Sequence, residues 1–193
     1  FRRVLFRSTD HRKCLDEGRG TDIETEGVAI FSAEPIVSSS AIRLSEGRVG
    51  VAVRLASLPN TPIVATHLSA NAQGQLDRER EIAKLLPWAM QQGAGVLIGD
   101  LNARPDAGEL APLMSAYRDS WAEALAAGHA GGVLTGSTRP GRRVSRIDYV
   151  FHAPEVDLTL QSVEIIDTST LGLGEVSDHH PVVATFRRTA ETR

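Results

Sequence analysis

The chain has a single cysteine, Cys14, among 193 residues. One cysteine excludes an internal disulfide and a cysteine-rich zinc site, and no His/Cys spacing matches a zinc motif either. Aromatic residues are scarce at 5%, so a stacking platform for single-stranded nucleic acid is not evident, and Trp88 and Trp121, in helical contexts, read as core. No apolar run approaches the roughly 20 residues of a membrane span. There is no Gly-x-x-x-x-Gly-Lys phosphate loop and no Gly-x-Ser-x-Gly nucleophile elbow. Excess charge is also small, with a formal net of −3. It is unevenly spread: residues 1–13 carry Arg2, Arg3, Arg7, Arg12 and Lys13 against Asp10, leaving an acidic remainder. An acidic body does not advertise non-specific nucleic-acid binding, although a local basic rim would suffice for it.

What is present is an ordinary globular composition, 41% hydrophobic and 23% charged, long enough for one domain with a sizeable core. Residues 1–26 read differently from the rest, as a disordered or artefactual N-terminal segment. FRRVLFRS resembles the translated read-through of a sequencing adapter, which predicts that the natural chain begins upstream and that its start has been lost. Residues 27–188 read as the domain, with no internal repeat or linker, and 189–193 as a tail.

Within the domain, strands are expected from Gly27 to Pro35, at Ser39–Leu44, at Arg48–Ala56 as a half-buried alternating strand, and at Ile63–Leu68 after a hairpin-like Leu58–Pro62. Residues 73–92 predict a helix with Leu76, Ala83, Leu86 and Met90 inward and Ile82 and Ala89 beside them. Its charge run of Asp77, Arg78, Glu79, Arg80, Glu81 and Lys84 reads as a solvated face, Pro87 should kink or end it early, and Gly93 and Gly95 close it. Val96–Ile98 is short enough for a buried strand. Short helices follow at Glu109–Tyr117 and Ser120–Ala127, then a loop over 128–143 and strands at Val144–Phe151, Leu158–Ile166 and Pro181–Phe186. Many strands with few helices suggest packed sheets with helices outside.

Four strand ends carry polar groups: His67, Asp100 with Asn102 in GDLNARPD, Asp148 in SRIDYVF, and Asp178-His179 in SDHHPV. Asp100 can hold a water or a metal, and Asn102 can donate to an oxyanion without adding negative charge. Gly, Asp and Asn are equally ordinary turn residues. Asp148 is a carboxylate in an apolar run, costly to bury unless paired. A histidine that it would orient is its most useful partner, with His179 the candidate; Arg142, Arg143 or Arg146 is the other choice. Asp178 could be an Asx turn ahead of Pro181, and His180 reads as packing or rim. Arg139, Arg142, Arg143 and Arg146 could meet substrate phosphates or form a solvated loop.

THLS, GDLNARPD, RIDYVF and SDHHPV, in this order and at these intervals over residues 27–187, resemble the endonuclease/exonuclease/phosphatase superfamily. The resemblance implies an α/β fold, a four-layered sandwich of two mixed β-sheets flanked by helices. It implies hydrolysis of a phosphoester, of phosphodiesterase or nuclease type, by in-line attack of water with a divalent metal, Mg2+ or Mn2+. Asp100 would orient the water. Asn102 would help hold the phosphate or the metal, and Asp178 would sit beside the metal. His67 and His179 would donate to the non-bridging oxygens, and Asp148 would pair with His179. Arg142 and Arg146 are the weaker candidates for substrate phosphate. The expected partner is a phosphoester substrate, nucleic acid among the options, acted on by a soluble monomer. The sequence departs from the family pattern early: neither a first strand ending in asparagine nor a Gln-Glu pair is present, and Glu24 and Glu26 lie too close to the Gly27 strand to substitute. The alternative is therefore a non-catalytic or inactive member that lacks the principal metal-ligand glutamate and acts as a binding domain.

Overall fold

A computed structural model describes residues 2–6, 27–70, 74–141, 143–171 and 177–189. Arg142, Glu24 and Glu26 lie outside the described residues. The chain divides into two compact units, Phe1–Leu97 and Ile98–Arg193.

In the first unit, β1 (Arg2–Phe6) pairs antiparallel with β2 (Val28–Ser32). An antiparallel meander follows: β3 (Ile36–Ser45), β4 (Arg48–Leu55) and β5 (Leu58–His67). Only two residues separate β3 from β4 and β4 from β5, and Gly47 takes the positive φ of 76° that the first of these tight reversals needs. β5 already includes Leu58–Pro62, which the sequence suggested as a connection; the turn is Ala56–Ser57. β4 is not the half-buried strand that its alternation suggested, because Gly50 to Val53 are all buried. The reason is the small residue on the second face. A Cβ at Gly50 would stand 3.0 Å from Leu85 and 3.2 Å from Trp88 of the helix α1 (Gly74–Gln92), so a larger residue would make these side chains shift.

Helix α1 spans nearly the residues expected, but its buried face is rotated. Ile82, Leu85 and Ala89 are buried, whereas Leu76 and Met90 are exposed. Glu81, read as solvated, is fully buried. Its carboxylate accepts from Ser69 N–H (2.9 Å), Ser69 Oγ (2.6 Å) and Ser45 Oγ. These neutral donors compensate the burial that periodicity alone assigns to an apolar residue. Nor does Pro87 end the helix; it lies on an exposed stretch, where water can serve the carbonyl that loses its donor. The helix closes at Gly93, φ 72°, with Gly93 N–H on the Met90 carbonyl and Ala94 N–H on that of Ala89.

β6 (Val96–Asp100) carries the chain into the second unit. There follow α2 (Ala111–Ala116), β7 (Arg118–Asp119), α3 (Ser120–Ala126), β8 (Ala130–Gly132), β9 (Asp148–His152), β10 (Leu158–Ile165) and β11 (Val182–Arg188). β10 lies between β11, antiparallel, and β8, parallel, which makes a mixed sheet. Asp119 caps α3 by accepting from Trp121 N–H and Ala122 N–H. The helix then buries Trp121 and Ala124 against Val163 and Ile165 of β10. β9 pairs with β7 only through Phe151 and His152. It begins at Asp148, later than the predicted Val144, because side chains take the N–H groups that a strand would use. Ser137 Oγ accepts from Ser145 N–H (3.1 Å) and Thr138 Oγ1 from Ile147 N–H (3.1 Å). Among the described residues, no helix is long and apolar enough to cross a membrane.

Candidate active site

The second unit brings three of the expected residues together. Asp100, Asp148 and His179 each offer a ligand or hydrogen-bonding atom within 4.8 Å of the others. All three are half-buried.

Asp100 is placed by the end of β6. Gly99 has φ 152° and Asn102 φ 49°, so the chain leaves the strand through two conformations that most L-residues avoid. Asp100 Oδ1 accepts from Asn102 N–H at 2.8 Å, which is an Asx turn. The turn is anchored to the next strand twice: Leu101 N–H donates to the Ile147 carbonyl (2.8 Å), and the Tyr149 hydroxyl donates to the Ala103 carbonyl (2.8 Å). Burial pushes the Tyr149 phenol well above its usual range, so it stays a donor. The turn reading and the chemical reading of Asp100 are therefore compatible, since they use different oxygens. Oδ2 faces His179 Nε2 at 4.0 Å. That is too long for a hydrogen bond, and close enough for one oxygen atom to contact both groups at about 2.8 Å.

Asp148, the first residue of β9, holds the other side of the imidazole, with Oδ2 2.8 Å from His179 Nδ1. This is the partner expected from the sequence rather than an arginine. Asp178 is largely exposed; its Oδ2 lies 3.2 Å from Arg139 Nη2 and 3.9 Å from His179 Nε2. His180 points away from this chemistry: it is buried, and its Nδ1 lies 3.3 Å from Thr168 N–H. His67 ends β5 in the first unit and is half-buried.

Arg146, a weaker candidate for substrate phosphate, is engaged within the protein. Its guanidinium pairs with Asp119 at 2.7 Å, with only 11% and 9% of the two side chains exposed, and lies 4.8 Å from the centre of the Tyr149 ring. A cation buried on a carboxylate and an aromatic face is an internal anchor. Arg139, on the other hand, pairs with Asp178 beside His179 and remains half exposed. The buried hydroxyl of Thr138 was missed; its only signal in the sequence is a Ser-Thr pair shortly before an apolar run. A second histidine is held apart from the site: His152 Nδ1 is 2.9 Å from Ser120 Oγ, its edge meets Phe186, and burial lowers its pKa despite Glu123 nearby.

The model of a family described as "Endonuclease/Exonuclease/phosphatase family" matches residues 5–179. Among proteins with curated descriptions, none matches the chain. Solved structures do. An endonuclease/exonuclease/phosphatase from Bacteroides vulgatus has a TM-score of 0.65 at 18% identity, over 83% of this chain and 69% of that one. The human Nocturnin catalytic domain with bound sulfate gives 0.67 at 20% identity, over 97% and 72%. D. rerio TDP2 complexed with a single-strand DNA product gives 0.62 at 16% identity, over 96% and 85%. These likenesses show the fold, which is the expected α/β sandwich of mixed sheets with helices.

Proposed function

The chain belongs to the endonuclease/exonuclease/phosphatase family, and from that premise we propose that it hydrolyses a phosphoester bond by in-line attack of water, with the Asp100–His179–Asp148 group at the reacting phosphate. The observation that carries the reading is the imidazole held between two carboxylates, 2.8 Å from one and 4.0 Å from the other. The 4.0 Å separation between Asp100 Oδ2 and His179 Nε2 suits a shared oxygen of water or phosphate.

The donor set also fits a hard divalent cation such as Mg2+ or Mn2+. It offers carboxylate oxygens and no thiolate, on side chains open enough to keep waters. Asp178 and Asn102 would supply oxygen donors to such an ion, beside Asp100. Bound there, it supplies positive charge against the non-bridging phosphate oxygens.

The chain's own residues divide the remaining work. Asp100 Oδ2 accepts a proton of the attacking water and orients its lone pair toward phosphorus. Attack opposite the leaving oxygen forms one P–O bond as the other breaks, and the leaving oxygen takes a proton from solvent. Asp148 accepts from His179 Nδ1–H and holds the ring with Nε2 toward the site, where its N–H donates to a non-bridging oxygen as charge builds.

The test is turnover of a chromogenic phosphodiester and of single-stranded DNA, the class of product in the TDP2 complex, with Mg2+ or Mn2+. Asp100→Ala and His179→Ala should each lower kcat by about 10² or more. A loss below about tenfold would overturn the assigned roles. In the same preparation, either cation should raise Tm, as any ligand of the native state does. Stabilisation by metal without turnover would favour the binding-domain reading.

A further inference from the structure

Thr138 is fully buried, lies in the loop before β9, and takes no part in the chemistry proposed above. Its hydroxyl accepts from the backbone N–H of Ile147 at 3.1 Å and of Asp148 at 3.3 Å. Its carbonyl accepts from His180 N–H at 2.7 Å. Its own N–H donates to the Ser145 carbonyl at 3.0 Å, and the hydroxyl proton faces the same carbonyl at 3.5 Å. Both lone pairs and the proton of the hydroxyl are thus engaged.

The positions of these bonds matter. Asp148 N–H belongs to the peptide just before the Asp148 Cα, and His180 N–H to the peptide just after the His179 Cα. One residue therefore grips the backbone beside both members of the Asp148–His179 pair, which are 31 residues apart in sequence. Neither strand beside β9 includes His179: β7 pairs with it at Phe151 and His152, and β6, its other neighbour, ends at Asp100. β11 starts at Val182, after His179. Ser137, whose hydroxyl donates to the Arg139 carbonyl at 2.8 Å and accepts from Ser145 N–H, keeps the Thr138 backbone from sliding.

We propose that Thr138 is the positioning residue of this site: its hydroxyl and carbonyl together set the distance between the Asp148 carboxylate and the His179 imidazole. The inference rests on the proposed function only for its effect on turnover. A shift of about 1 Å in a reacting group costs roughly 10²-fold in rate, so loss of the hydroxyl should act on kcat.

The test compares Thr138→Val, which keeps the shape and removes the hydroxyl, with Thr138→Ser, which keeps the hydroxyl. Two readouts are taken in the whole chain: kcat and KM on a phosphodiester, and the downfield proton resonance of His179 Nδ1–H, assigned with His179→Gln. Thr138→Val should lower kcat by roughly ten- to a hundredfold, change KM by less than about threefold, and weaken the resonance, while Thr138→Ser restores both readouts. If Thr138→Val leaves kcat and the resonance intact, or if Thr138→Ser is equally impaired, the proposal is overturned. Should the valine variant not fold, Thr138→Ala against Thr138→Ser gives the same comparison. If the unmodified chain shows no turnover at all, the phosphoesterase reading falls, and the resonance still decides the role of Thr138.

Discussion

Replacing Glu81 tests the packing of the first unit most directly. The carboxylate is fully buried and accepts three hydrogen bonds, two from Ser69 and one from Ser45. Glu81→Ala removes all three acceptors. The two serine hydroxyls can rotate toward other acceptors, but Ser69 N–H cannot, and a buried unpaired donor costs about 1–3 kcal/mol. Loss of two charge-assisted bonds and the small void left behind bring the expected total to about 3–5 kcal/mol. Glu81→Gln is the control. Its amide oxygen can still face Ser69 N–H, and its amide nitrogen can donate to hydroxyls that turn to accept, so the cost should be about 1 kcal/mol. Urea unfolding followed by tryptophan fluorescence measures both, since Trp88 lies in the same helix. Substitutions on a solvated helix face fall within about 0.5 kcal/mol of zero. A Glu81→Ala cost in that range would refute the reasoning, because it would mean that the carboxylate is hydrated.

Two further outcomes follow from the second unit. Arg146→Ala should destabilise by about 3–5 kcal/mol, because it leaves the Asp119 carboxylate buried without its cation; thermal or urea unfolding measures it, and an effect confined to KM would instead restore Arg146 as a phosphate ligand. For His152, whose folded pKa is lowered from 6.5, the unfolded chain binds the proton more tightly. Its contribution to stability is therefore complete above about pH 6.5 and is lost as the pH falls toward the lower folded value. Between pH 8 and pH 5 the urea midpoint of the wild type should fall relative to that of His152→Phe, and parallel curves would remove His152 as the cause.

The parts of this fold legible in the sequence were those governed by nearest neighbours. Helix α1 showed through its length and its closing Gly93, and the apolar runs at Val96–Ile98, Leu158–Ile165 and Val182–Phe186 showed as strands. Asp100, Asp148 and His179 were legible because each stands where an apolar run starts or stops. What was hidden depends on bonds between distant residues. Glu81 is inward only because Ser45 and Ser69, 36 and 12 residues away, supply donors. Val144–Ile147 looks like strand by composition, yet Ser137 and Thr138 capture its backbone first. Arg146 could be read as a phosphate ligand because nothing local reveals that Asp119, 27 residues earlier in the chain, faces it. Side chains that bond to backbone or to each other across such spans leave no period in the sequence.

The division of labour within one carboxylate has an evolutionary consequence. Asp100 Oδ1 makes the turn with Asn102 N–H, while Oδ2 faces the histidine. Asparagine can make the same turn with its one carbonyl oxygen, and an aspartate codon becomes an asparagine codon by a single base change. If the proposed chemistry holds, a descendant would lose it in one mutational step that the fold would scarcely register. Selection for stability would not oppose that step, so under the proposed function the identity of residue 100, and not the integrity of the domain, would carry the trace of it.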